Sequence, residues 1–266
     1  MPRGPDLVLA NRSRRAAMLC YHSVSDPGWP FLSVSPEAFE RHLATLRRLG
    51  WTTGTDRDLD RVLAQGRGGR PTAFLTFDDG YVDNFTRAFP LLQAYGATAT
   101  VFIVPPLVDG GAPLRWAGVE EPCERLPDVW RSMTWEMVEQ MAAAGIAFGA
   151  HTLTHPHLTR VGDEQLRQEL LDARSRIVER LGRCDALAYP YGDADARVRA
   201  AARDAGYRWA FTIPRRGQRL VDPLAIPRIA VDHRDGAARL ALKLRAPTRR
   251  LLLSEPARAV LARLRP

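Results

Sequence analysis

Two adjacent carboxylates, Asp78 and Asp79, close the apolar run from Ala73 to Phe77, and Gly80 follows them. Both cannot turn into a core without a large electrostatic penalty. Successive side chains of an extended chain leave on opposite sides, so one carboxylate can bind a cation while its neighbour does other work. Gly80 lets the chain turn sharply at that point. Alone, the segment reads equally well as a polar strand-to-helix turn with an Asp as N-cap. A second pair changes the balance. His151 and His155 lie four residues apart just after the run from Ile146 to Ala150, and three of the six histidines fall between 151 and 157. One helical turn or a compact loop puts two such imidazoles on one face. With one carboxylate they form a His₂Asp set that leaves positions open for water and substrate, suited to Zn²⁺ and to other first-row divalent ions. His157 is the spare, because Pro156 turns the chain between it and His155.

The segments Thr76–Gly80 (TFDDG) and His151–His155 (HTLTH) resemble the first two motifs of the polysaccharide deacetylase family, the NodB-homology group. Trp135 and the run AAAGIAFGAHTLTHPHL resemble that family's approach to its second motif, and Ala188–Gly192 (AYPYG) resembles its third. The similarity spans roughly residues 17 to 232. The resemblance implies Asp79, His151 and His155 as ligands of a divalent ion, Zn²⁺ or else Co²⁺ or Ni²⁺, with Asp78 as general base. Such an ion polarises an amide carbonyl and acidifies water, the base takes the water's proton, and a backbone N–H near Tyr191 faces the oxyanion. The proton for the departing amine comes from His22 or His233. His22 is favoured because its strand is the more convincingly buried, and the Tyr21-His22 segment resembles the opening of the poly-N-acetylglucosamine deacetylase branch. Two departures stand out. The family's third motif carries an Arg where this chain has Ala188, and its Asp-rich fourth motif has no clear counterpart. Arg228 is expected to supply the missing charge from another strand.

The function so implied is removal of N-acetyl groups from N-acetylhexosamine units of a glycan or glycan precursor. An amidase or O-acetyl esterase acting elsewhere is the alternative, since the same chemistry cleaves both. A catalytically silent sugar-binding relative is the second alternative, for which Ala188 is the one argument. Trp116, Trp130 and Trp135 lie in or beside the segment from Pro105 to Asp128; sugar clefts use aromatic faces, but Trp135 reads better as helix packing.

The elements that must position these residues alternate. Strands are expected over Ala16 to Tyr21, Ala73 to Phe77, Thr98 to Val104, Ile146 to Ala150, Ala186 to Tyr189, Trp209 to Thr212 and Ile226 to Val231. Helices are expected from Pro36 to Leu49, Thr55 to Ala64, Asp83 to Tyr95, Thr134 to Ala144, Asp163 to Leu181 and Asp195 to Ala205, with Gly50, Gly96, Gly145 and Gly182 as stops. Pro105 to Asp128 reads as a long loop, and His42 as a solvated helix residue. Strand–helix alternation implies a parallel sheet with right-handed crossovers. Because every candidate residue follows a strand, an irregular (β/α)7-type barrel in one α/β domain is favoured over an open sheet.

The boundaries expected are a basic arm over 1–15, the barrel over 16–235 and a basic helical extension over 236–266. The chain has 266 residues, 45% of them hydrophobic, and a net charge of +8 carried almost wholly by arginine, since Lys243 is the one lysine. No zinc-finger, RNP or P-loop pattern accompanies the charge, so nucleic-acid binding is not expected. Three distant cysteines, Cys20, Cys123 and Cys184, make no disulfide framework. No signal peptide is recognised and no run reaches transmembrane length, so a cytoplasmic location is expected. The C-terminal stretch from Arg239 could touch an anionic membrane, but docking on the barrel is favoured because Pro247 and Pro256 break it.

Overall fold

The computed structural model describes residues 16–26, 28–64, 69–110, 114–116, 119–213, 222–245 and 248. The arm expected over 1–15 and most of the extension expected over 236–266 lie outside these residues. Strand β1 (Ala16–Tyr21) leads into β2 (Ser23–Val24) and β3 (Ser33–Val34), which pair with each other. Helix α1 (Pro36–Arg48) starts where Ser35 Oγ accepts the Ala38 N–H and Pro36 supplies a pre-set φ. Strand β4 (Thr52–Gly54) follows, and a Thr55–Asp58 capping box opens the short α2 (Leu59–Ala64). After β5 (Thr72–Phe77), the helix expected from Asp83 begins instead with a π-helical turn, Asn84–Ala88, before α3 (Phe89–Ala94).

Strand β6 (Thr100–Ile103) opens onto the segment expected to be a loop, which in fact holds a 3₁₀ turn, Pro105–Leu107, and helix α4 (Glu120–Arg125). Its side chains form their own small core, where Tyr81, Leu114, Val119, Cys123 and Trp130 bury one another. Then come α5 (Trp135–Ala143), β7 (Ala147–Ala150), α6 (Asp163–Leu181), β8 (Ala186–Ala188), α7 (Ala196–Asp204) and β9 (Trp209–Thr212). The last expected strand is divided: β10 (Ile226–Pro227) and β11 (Ile229–Ala230) flank Arg228. Helix α8 (Ala237–Leu244) packs on α1 with Leu240 and Leu244 buried, and Lys243 Nζ donates to the Ala230 carbonyl at 2.8 Å and to Asp235. Docking on the barrel, favoured from the sequence, describes α8. No helix among the described residues is long and apolar enough to cross a membrane.

All these strands pair in parallel, in the order β10-β9-β8-β7-β6-β5-β1-β11, with β4 alongside the first half of β5. The two ends of that order are separated by Arg228 alone, so residues 226–230 join β9 on one side to β1 on the other. The Arg228 N–H bonds Thr212 at 3.0 Å and the Val231 N–H bonds Cys20 at 2.8 Å. The sheet is thereby nearly closed into an irregular seven-membered (β/α) barrel in a single α/β domain. Strand periodicity of two divides its side chains. Ala16, Met18, Phe74, Phe102, Ala186, Ala188, Trp209, Phe211 and Ile226 fill an inner cluster, while Ala17, Leu19, Leu75, Phe77, Ala150 and Leu187 pack outward toward the helices. His42 is not solvated as expected. It is fully buried, its Nε2–H given to the Asp235 carbonyl and its Nδ1 accepting from Tyr21 Oη at 3.3 Å.

Candidate active site

The inner positions of the strands continue past the strand ends into the site. On β5 the inner series Phe74, Thr76, Asp78 leaves Asp78 on the last rung, its N–H still bonded to the Tyr21 carbonyl at 3.0 Å. Asp79 then takes a left-handed backbone, φ 73, and turns away; Gly80 follows at φ 76, where a Cβ would stand 2.7 Å from Ile103 Cγ2. His151 is the equivalent last rung on β7, its N–H bonding the Ile103 carbonyl at 2.8 Å. Thr152, His155 and Tyr191 also have positive φ. Four of the six non-glycine residues with that geometry among those described therefore border one site, each at a cost of about 1–3 kcal/mol.

Asp79, His151 and His155 converge, and all three are buried. Asp79 Oδ1 stands 3.4 Å from His151 Nε2 and 3.5 Å from His155 Nε2. These gaps exceed a charge-assisted hydrogen bond of about 2.7–2.9 Å. They match two ligands, each about 2.1 Å from one ion in tetrahedral arrangement. The tautomer agrees. His151 Nδ1 lies 2.8 Å from the Ala188 carbonyl, which can only accept, so Nδ1 carries the hydrogen and Nε2 offers its lone pair to the centre. Burial drives His155 down to about 3, so it too is a neutral donor. Burial pushes Asp79 up, but the neighbouring imidazoles of His151 and His155 outweigh it and hold its carboxyl below the usual value. Three buried donors of this type fit a divalent ion.

Asp78 faces a different partner. Arg228 Nη1 and Nη2 reach its two oxygens at 2.6 Å each, and Nη1 also donates to Thr76 Oγ1 at 3.0 Å. The guanidinium runs through the barrel interior between the rings of Phe102 and Phe211, 5.6 and 5.8 Å from their centroids. Burial works against the Asp78 charge, but the Arg228 guanidinium more than reverses this and holds it well below the usual carboxylate range. The positive charge missing at Ala188 thus arrives from the closing strand. Cys20 donates its thiol to Asp78 Oδ2 at 3.5 Å, and His22 Nε2 lies 4.0 Å from the same oxygen. His233 is elsewhere. It is 45% exposed, accepts the Phe31 N–H at 3.3 Å and packs edge-on to that ring.

Aromatic rings line the histidines. Trp116 stacks on His155 at 4.1 Å, Tyr191 meets its edge at 4.9 Å, and His157, outside the ligand cluster, stacks on Tyr191 at 3.9 Å. Glu169, buried on α6, was not foreseen. Its Oε2 accepts the N–H groups of Leu153 and Thr154 at 2.8 Å each, and its Oε1 accepts the Thr154 hydroxyl. One carboxylate thereby shapes the whole turn between the two histidine ligands. A glutamate on an amphipathic helix looks like any solvated charge, so the sequence carried no signal for it.

The fold and this geometry define a β/α barrel with a buried candidate metal site at its strand ends, and comparison with known proteins fixes the family. The sequence profile described as polysaccharide deacetylase matches residues 65–210, and the chain belongs to that family. It is 26% identical over 209 residues to the Bacillus subtilis (strain 168) protein YxkH, named for the same family, covering 77% of this chain and 67% of that one. It is 30% identical over 141 residues to the Escherichia coli (strain K12) poly-beta-1,6-N-acetyl-D-glucosamine N-deacetylase, covering 50% of this chain but only 20% of that protein. Among solved structures, the Streptococcus pyogenes deacetylase PplD in complex with acetate superposes with a TM-score of 0.71 at 21% identity, covering 85% of this chain and 96% of that one. IcaB from Ammonifex degensii superposes with a TM-score of 0.70 at 24% identity, covering 86% and 96%. These two likenesses establish the fold.

Proposed function

We propose that this chain is a divalent-metal-dependent deacetylase that removes N-acetyl groups from N-acetylhexosamine units of a glycan or glycan precursor. The observation that carries the reading is the convergence of Asp79, His151 and His155 beside a separately paired Asp78. The first three residues would hold the ion; their one-oxygen, two-nitrogen set suits Zn²⁺, with Co²⁺ and Ni²⁺ as substitutes. Such an ion, when bound, polarises the amide carbonyl and acidifies water.

Asp78 takes the proton of the attacking water. Held so strongly ionised by Arg228, it is a weak base, and would suffice for water acidified by such an ion. A backbone N–H at the Tyr191 turn faces the oxyanion that forms. His22 gives a proton to the departing amine, and its placement beside Asp78 favours it over His233. The half-buried ring of Trp116 offers an apolar face to a sugar. The N-acetylglucosamine polymer in the name of the Escherichia coli relative supports the substrate class. The argument for a silent sugar-binding relative, Ala188, is met by Arg228.

Incubation with N-acetylglucosamine oligomers tests the substrate. Acetate and new free amine are expected in equal amounts. Acetate released from O-acetyl esters but not from the oligomers would favour the esterase reading.

A further inference from the structure

The segment bearing His22 is fastened by residues outside the machinery described above. Asn84, fully buried at the start of the π-helical turn, donates from Nδ2 to the His22 carbonyl at 2.8 Å and to Asp83 Oδ1 at 3.0 Å. Asp83, also buried, accepts the Ser23 hydroxyl at 2.5 Å, and the Val24 N–H donates to it as well. Three consecutive residues, 22 to 24, are therefore each bonded to the pair 83–84. The His22 ring itself has little to orient it among the described residues. Its Nδ1 is buried with no hydrogen-bond partner, and Nε2 is 4.0 Å from Asp78, beyond hydrogen-bond range. A ring so held is aimed mainly by its backbone. The π-helical turn widens the coil by one residue just after the Asp78–Gly80 bend, as such turns do near functional sites.

We propose that Asn84, supported by Asp83, is a positioning residue that aims His22 at the departing amine. This rests on His22 being the acid, as proposed above. In that step the C–N bond of the tetrahedral adduct breaks, its electron pair goes to nitrogen, and the proton passes from the His22 imidazolium to that nitrogen, leaving neutral imidazole. A phenolate leaves an aryl acetate without needing a proton, so the ratio of amide to ester turnover reads the acid step separately from metal binding and from the base.

The experiment measures metal-loaded enzyme on N-acetylglucosamine oligomers and on 4-nitrophenyl acetate. Asn84→Ala is expected to lower the amide-to-ester ratio by about 10- to 100-fold. His22→Ala is expected to lower it at least as far, and the double variant no further than His22→Ala, since both remove one function. Ser23→Ala, which loosens the same anchor more gently, is expected to move the ratio in the same direction and serves if Asn84→Ala does not fold. Equal loss on both substrates in Asn84→Ala, or multiplied losses in the double variant, overturns the positioning role. An unchanged ratio in His22→Ala overturns the acid assignment and the positioning role together, while leaving metal-dependent hydrolysis intact.

Discussion

Asp78 and Arg228 are both buried, and each makes the other tolerable inside the barrel. Breaking such a pair strands a charge away from water, which costs about 3–5 kcal/mol. Arg228→Ala should therefore lower stability by that amount and depress turnover, whereas Arg228→Lys, keeping the charge but losing the second bond, should fall between. Urea unfolding midpoints measure this, and an Arg228→Ala midpoint equal to wild type would contradict the pairing. At this scale the sequence is unevenly readable. Asp78, Asp79, His151 and His155 stand out because chemistry-bearing residues at the ends of apolar strands have few structural uses. Arg228 could be inferred only from what Ala188 lacks. Asn84 could not be inferred, because a buried amide and a solvated helical one look alike in sequence.

Helix α6 occupies the bounds its amphipathic pattern suggested, yet its part in the site comes from one side chain. Glu169 replaces backbone acceptors for the Leu153 and Thr154 N–H groups and so sets the spacing of the histidine ligands. Outer partners of this kind affect metal affinity by about 10- to 100-fold. Glu169→Ala should raise the Kd for Zn²⁺ or Co²⁺ by that factor, and Glu169→Gln by less, as read by competition with a chromophoric chelator. An unchanged Kd in Glu169→Ala would show that the turn holds its shape unaided. Strand and helix alternation was legible because period and capping residues are local. The π-helical turn, the helix α4 within the expected loop and the division of the last strand at Arg228 were not. Each answers to contacts with distant segments, such as His22 for the turn and two different neighbouring strands for residues 226–230.

Over the whole molecule, chemistry gathers at the C-terminal ends of the strands, while the opposite end carries a cost of its own. There Asp56 borders a cavity of about 120 Å³ with Arg57, Phe148, Arg183 and Asp185, and its Oδ1 is 3.4 Å from Thr100 Oγ1. Burial raises Asp56 from 3.8 to about 6, with Arg57 and Arg183 only partly offsetting it. The unfolded chain thus releases this proton at lower pH than the folded one, so stability falls as pH rises from about 4 to about 6 and then levels. That difference corresponds to about 3 kcal/mol as an upper figure. Asp56→Asn should flatten that part of the stability profile and gain most at neutral pH, by unfolding at a series of pH values. A variant whose profile runs parallel to wild type would refute the assignment. The barrel was inferable from the alternation of strands and helices, but its closure was not, because β1 meets β11 across nearly the full chain and no local pattern encodes that pairing.

The central claim is that an ion held by Asp79, His151 and His155, with Asp78 as base, cleaves an N-acetyl amide. Its most direct test is acetate release from N-acetylglucosamine oligomers by chelator-stripped protein, with Zn²⁺, Co²⁺ or Ni²⁺ returned, beside Asp78→Asn. We expect release that depends on the returned metal and that Asp78→Asn reduces by at least about a hundredfold while still binding metal. Release undiminished by stripping, or undiminished in Asp78→Asn, would contradict it.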